Sequence, residues 1–336
     1  MNNITRKQRV IAAINHKQTD VTPWQINLTS AFVKAAGNRL GSDADALLGN
    51  HLYMQKYKNN IKLPDGREND IFSVTWTKLP DDDIGVVTGF PLRDKPLSAY
   101  TMPALQKDFA TTLCKNLEAD TTERFRMFAL TMLYFERAWS LRGMEDLLVD
   151  MCLNPSFTYG LFESILNHHL ELLDLVLQYD YEAVYFGDDW GQQMGLIMGP
   201  DMWRKYIKPG MCAIFDKVKR AGKYVVLHSC GDLREIMDDL VDMGMDVYNT
   251  VQPEIYDLNT LKKEYGAHIT FYGGVSTQQF LPFATPKQCA AKARETLQIM
   301  GANGGYIFSP THSITADIPV NNVLALVEAV KDYHWG

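Results

Sequence analysis

The chain has 336 residues, 46% hydrophobic and 22% charged, which is enough apolar material for a sizeable core and excludes global disorder. A net charge of −7 argues against nucleic acid as the main partner and against a substrate bearing many carboxylates, while leaving room for a local basic pocket. Five scattered cysteines, no apolar signal core at the N-terminus and no run of 18 apolar residues predict no disulfide framework, no membrane span and a cytoplasmic setting.

In chain order, Thr5 to His16 reads as helix and Thr22 to Ile26 as a first strand. Residues 30–60 read as helical. Residues 66–92 carry Gly, Pro and Asp among short β-prone runs, Asp70 to Thr77 and Asp83 to Thr88, and read as an excursion. Met102 to Leu117 is predicted helix and Arg126 to Leu133 strand, with a helix running on to about Met151. Pro155 to Gln178 is helix, Ala183 to Phe186 strand, and Pro200 to Ala221 helix with a break at Pro209-Gly210. The alternation then continues: strand Tyr224 to Leu227, helix Leu233 to Met243, strand Val247 to Asn249, helix Leu258 to Tyr265. Strand Ile269 to Tyr272, helix Pro286 to Met300, strand Tyr306 to Phe308 and helix Asn321 to Tyr333 close it. Sustained strand–helix repeats mean a parallel sheet. About eight units, with no Gly-x-Gly-x-x-Gly after the first strand, favour an α/β fold of the (β/α)8 TIM-barrel type, one domain over 1–336 with the excursion inserted.

In such a barrel the active site lies at the C-terminal strand ends. His228 and Cys230 end one strand, with one residue between them. Such side chains point to the same side, and an imidazole with a thiolate is a pairing that zinc accepts. His312 follows the last strand and is the third candidate ligand, reachable only through the fold. Asp188 and Asp189 form an acidic pair that reads as ligand, support for His228, general base, or helix N-cap. Glu136, beside Arg137, reads as ligand, substrate contact or half of an ion pair. Trp24, Gln25, Tyr134, Trp190 and Gln252 are candidate substrate contacts, the aromatics shaping an apolar pocket. Cys114, Cys152, Cys212 and Cys289 read as core packing, His168-His169 as structural, and Arg204, Lys205 and Lys208 as a solvated face.

Gly187-Asp-Asp-Trp-Gly191, Leu227-His-Ser-Cys-Gly-Asp232, Val251-Gln-Pro253, Tyr272-Gly-Gly-Val-Ser-Thr-Gln278, Gly304-Gly-Tyr-Ile-Phe-Ser-Pro-Thr-His312 and Asp317-Ile-Pro-Val-Asn-Asn322 occur in this order. With them the chain resembles the uroporphyrinogen decarboxylase superfamily over most of its length. The resemblance implies a (β/α)8 barrel and one of two chemistries. The decarboxylases use an Arg-rich segment after the first strand and no metal. Here that segment, Thr22 to Phe32, contains no Arg, so a polycarboxylate would be poorly neutralised.

The other branch comprises zinc methyltransferases working with corrinoid proteins, using His-x-Cys and a later residue, commonly Cys, as ligands. Here the later position is His312, a departure from that pattern. One thiolate with two imidazoles leaves a stronger Lewis acid than two thiolates do, which suits a leaving ether or alcohol oxygen. The expected cofactors are zinc and a partner-borne corrinoid. The expected substrate is a small methylated compound, with a metal-free decarboxylase and a thiol-methylating enzyme as alternatives. Association of like chains is left open.

Overall fold

The computed structural model describes residues 4–41, 43–78 and 85–335. Helix α1 (Arg6–Ile14) starts under a capping box between Thr5 and Gln8. Such a pair satisfies two backbone N–H groups that the first turn leaves open. Helices α2 (Ser30–Ala36) and α3 (Ala44–Leu48) take Thr29 and Asp43 as caps, and α3 stops at Gly49 in the left-handed region, φ 65°. The chain then enters strand β1 (Leu52–Lys56), where a helix was expected. Gly49 provides the stop that helical propensity alone overlooks.

The excursion forms a small antiparallel sheet of β2 (Ile61–Lys62), β3 (Glu68–Asn69), β4 (Thr75–Thr77) and β5 (Val86–Gly89). The expected strand from Asp70 begins only at Thr75. The Asp70 carboxylate accepts from the N–H groups of Phe72 and Val74 and bends the chain into a turn. Asp83 and Ile84 of the second expected run lie outside the described residues.

Next come α4 (Lys107–Glu118), β6 (Phe125–Thr131), α5 (Phe135–Arg142), α6 (Met144–Leu153), α7 (Pro155–Val176) and β7 (Ala183–Gly187). A short hairpin, β8 (Gly191–Gln192) and β9 (Gly195–Leu196), leads to α8 (Pro200–Met202) and α9 (Lys208–Arg220). The disturbance expected at Pro209-Gly210 lies just before it, as a π-helical stretch at Trp203–Ile207. A proline lacks the N–H that would close the preceding turn, and widening that turn accommodates the loss. The remaining elements are β10 (Tyr224–His228), α10 (Met237–Asp242), β11 (Val247–Val251), α11 (Leu258–Tyr265), β12 (Thr270–Val275), α12 (Pro286–Met300), β13 (Tyr306–Pro310) and α13 (Val320–Lys331).

The main sheet has the order β1-β6-β7-β10-β11-β12-β13, and β7/β10, β11/β12 and β12/β13 pair in parallel. Strand order equals chain order because each crossover helix returns the chain to the next position. The fold is therefore α/β of the (β/α)8 class. The chain divides into two compact units. One comprises the N-terminal stretch to Met54, Asp120–Met127 and everything from Met245; the other comprises Gln55–Ala119 and Phe128–Gly244.

In the first unit, the predicted opening strand exists only as bridges from Trp24 to Phe308 and from Leu28 to Ile314. Pro23 has no N–H to give. On its other side the Asn50 amide donates to the Ile26 carbonyl and accepts from the Ile26 N–H, standing in for a neighbouring backbone. Strands β11, β12 and β13 are buried on both faces along their whole length, as parallel strands under helices require. In the second unit the α7 helix buries nine residues, Thr158 through Val176 at helical spacing. Among the described residues no helix is long and apolar enough to cross a membrane.

Candidate metal centre

The second unit carries two strand-end loops that hold each other by their backbones. Asp188 N–H donates to the His228 carbonyl at 3.0 Å, Gly191 N–H to the Cys230 carbonyl at 3.2 Å, and Asp232 N–H to the Gln192 carbonyl at 2.8 Å. The Ser229 hydroxyl accepts from Trp190 N–H at 3.0 Å. Gly231 has φ 87°, and a Cβ there would overlap the Gly191 backbone. Both positions therefore need glycine, because the two backbones touch.

This clamp sets the geometry of three side chains. The Cys230 sulfur lies 3.5 Å from His228 Nε2. Asp189 Oδ1 lies 3.7 Å from the same nitrogen and accepts from Cys230 N–H at 2.8 Å. His312 follows β13 in the other unit, where the chain around it is pinned. Thr311 N–H donates to the Val275 carbonyl, the Thr250 hydroxyl donates to the Thr311 carbonyl, and Ile314 N–H donates to the Asn27 carbonyl. His228 and Cys230 thus offer an imidazole and a thiol side by side within one unit. A tetrahedral zinc with bonds of roughly 2.0–2.3 Å sets its ligands about 3.5 Å apart.

The electrostatics fit a cation. Burial, then the charges of Asp189 and Asp188, push the Glu136 carboxyl well up. Burial, then the charge of Asp189, push the Cys230 thiol up. The site thus holds more acid than it can ionise alone, and a divalent ion would relieve that.

The acidic pair divides. Asp188 is fully buried. It accepts from the N–H groups of Tyr134, Phe135 and Glu136 at 3.0, 2.9 and 2.8 Å and from the Trp190 indole at 2.5 Å. It caps α5 from a distant loop and so places Glu136; burial holds its carboxyl up at about 6 despite those donors. Asp189 is half-exposed beside the sulfur.

The three aromatic candidates are all buried. Trp190 is buried against Trp203. Tyr134 packs at a tilt against Phe162 of α7, with its hydroxyl against Gly210 of α9. The Trp24 indole donates to the Leu48 carbonyl at 2.9 Å. The two indoles satisfy their N–H groups inside the frame, on Leu48 and Asp188, and all three rings are buried, so they brace the structure. Gln25 likewise accepts from Leu52 N–H and donates to Asn27. The Gln252 carbonyl accepts from the N–H groups of Ile255 and Tyr256.

Glu136 is not the partner of Arg137, which pairs with Asp70 at 2.6 Å. Nothing in the spacing signals that contact, because 67 residues separate the two. Cys114 and Cys289 are buried as expected, whereas Cys152 is exposed because it lies on the outer side of α6. Arg204 and Lys208 both pair with Asp239.

A family model described as Uroporphyrinogen decarboxylase (URO-D) matches residues 107–333. A uroporphyrinogen decarboxylase of Magnetococcus marinus is 27% identical over 183 residues, 53% of this chain and 49% of that one. The methylcobamide:CoM methyltransferase MtaA of Methanosarcina barkeri is 25% identical over 138 residues, 41% of this chain and 38% of that one. The chain thus spans about half the length, or less, of these curated relatives. A solved methyltransferase from Methanosarcina mazei superposes with a TM-score of 0.76 at 17% identity, covering 98% of this chain and 99% of that one, a likeness of fold.

Proposed function

Because the chain belongs to the uroporphyrinogen decarboxylase family, we propose that it is a zinc-dependent methyltransferase. It would move a methyl group between a small methylated substrate, of ether or alcohol type, and a corrinoid protein. The observation that carries this reading is the pairing of an imidazole with a thiol, His228 Nε2 lying 3.5 Å from the Cys230 sulfur, with His312 proposed as the third ligand. The similarity to methylcobamide:CoM methyltransferase MtaA supports it. So does the absence of Arg from Thr22 to Phe32, which leaves a polycarboxylate substrate without cations there.

Zinc held by these three residues would supply a Lewis acid that draws electron density from the donor oxygen. The residues of the chain do the rest. Asp189, beside the sulfur, completes the ligand set or orients His228. Glu136 lies in the same negative field and exchanges a proton with the departing oxygen. Asp188 acts as a positioning residue, since its oxygens are occupied by four donors. In the donor-to-corrinoid direction a partner-borne corrinoid would supply the cobalt(I) electron pair that accepts the methyl group as its bond to oxygen breaks. The oxygen then leaves as the alcohol after taking a proton.

The test is elemental analysis of the purified protein beside Cys230→Ser, followed by methyl transfer to cob(I)alamin from simple methyl ethers. About one zinc per chain, lost in the variant, is expected. A protein that takes up no zinc on reconstitution, or that releases coproporphyrinogen from uroporphyrinogen, would overturn the reading.

A further inference from the structure

Within the second unit a cleft of about 80 Å³ opens between the excursion and the end of β6. Neither His228, Cys230 nor Asp189 lines it. Its floor includes Arg137 and His169, both about 5% exposed. Tyr57, Phe72 and Trp76 supply aromatic surface, and Lys58 stands at the rim.

Two floor atoms are unusual. The Arg137 guanidinium lies over the Phe72 ring at 4.0 Å and gives Nη1 to Asp70 and Ser140, yet among the described residues its Nε–H meets no acceptor. His169 Nε2 lies 2.7 Å from the Leu133 carbonyl, which assigns the ring proton to that nitrogen and leaves Nδ1 an acceptor with no donor. Buried polar atoms without partners are rare and costly. The charges also do not cancel. Asp70 answers Arg137, and among the described residues Lys58 has no ion pair, so the lining carries one net positive charge on a protein of net charge −7. Burial, then the charge of Lys78, lowers the Lys58 pKa, a direction that a nearby anion reverses.

We infer that this cleft binds a small monocarboxylate on a flat, aromatic body. The carboxylate would meet Lys58, and the ring would lie among Tyr57, Phe72 and Trp76. Most of the walls come from residues 57–76, before the stretch that the family model matches, which begins at residue 107. The walls that would set specificity therefore lie mostly outside that matched stretch. It stands apart from the methyl-transfer reading, because binding can be measured without turnover or metal.

The experiment is calorimetric titration of the full chain with benzoate and with benzyl alcohol, repeated on Lys58→Met and on Trp76→Ala. Saturable benzoate binding is expected, with benzyl alcohol at least about tenfold weaker. Lys58→Met should lose about tenfold and Trp76→Ala a comparable amount. Equal affinity for benzoate and benzyl alcohol would overturn the proposal. So would no benzoate binding up to about 10 mM, or benzoate affinity unchanged in both variants. A second arm offers 4-methoxybenzoate with cob(I)alamin to the zinc-loaded protein. Methylcobalamin that depends on Lys58 identifies the bound carboxylate as the methyl donor. Binding without methyl transfer identifies a separate ligand at the same cleft.

Discussion

The strand-end loops around His228 and the cleft of the excursion solve the problem of holding polar groups in different ways. The loops are fixed by backbone on backbone, with Gly191 and Gly231 in contact and hydrogen bonds from Asp188, Gly191 and Asp232. The cleft is fixed by side chains: Arg137 on Asp70, the Trp76 indole on Asp70, and Asn59 on Gln106. A backbone clamp permits almost no substitution but places ligand atoms narrowly, as a metal requires. A side-chain frame tolerates change, which suits a surface whose ligand preference is adjusted by sequence.

Gly231→Ala should break the clamp most severely. Its Cβ would overlap the Gly191 backbone and would stand on a residue at φ 87°. A loss of about 4 kcal/mol or more is expected. Thermal unfolding together with zinc content checks it: a variant that keeps both its melting temperature and its zinc would refute the clamp.

Much of this division was legible in the sequence, though unevenly. His228 and Cys230 stood out because an apolar run ends on them, and strand periodicity fixes that they share a side. The β7, β10, β11, β12 and β13 strands announced themselves as short apolar runs bounded by turns. Strand β1 did not, because Leu52-Tyr-Met-Gln-Lys56 is neither strongly β-prone nor alternating, and Gly49 carried the signal instead. The buried roles of Trp24, Tyr134 and Trp190 were also hidden. An aromatic after a strand reads the same whether it faces a pocket or a helix, and only tertiary packing decides. The Arg137–Asp70 pair crosses too much chain for spacing to reveal it.

Asp70→Asn tests the other half of the comparison. Arg137 and Asp70 are both shielded, with side chains 7% and 10% exposed, so removing one charge strands the other. About 3 kcal/mol of destabilisation is expected. Zinc per folded chain should stay at its wild-type value, since none of the three metal candidates lines the cleft. Zinc loss that tracks the destabilisation would show that the two regions are not independent.

A gentler probe of the candidate metal centre is pH. Burial and the Asp189 charge raise both the Cys230 thiol and the Glu136 carboxyl above their ordinary values, so the metal-free protein holds these protons more tightly than free side chains do. Zinc must displace them. Apparent zinc affinity should therefore rise with pH, by about tenfold per unit for each proton released. Competition with a chelator at several pH values measures this. A flat profile from pH 6 to about 8 would mean that the ligands are already deprotonated and that the site carries no surplus acid.

The smallest effect is expected from Trp76→Phe. The indole N–H reaches Asp70 Oδ2 only at 3.4 Å, a long and weak hydrogen bond, and Asp70 keeps Arg137 and the N–H groups of Phe72 and Val74. Phenylalanine preserves the ring that faces the cleft. Stability should change by less than about 0.5 kcal/mol, with zinc content unaltered and benzoate affinity within about threefold of wild type. A single nitrogen removed from the cleft should thus cost almost nothing, whereas a single methyl added at Gly231 should cost the site. If Trp76→Phe proved as damaging as Gly231→Ala, the excursion would be part of the rigid frame and the distinction between a fixed metal centre and an adjustable cleft would fall.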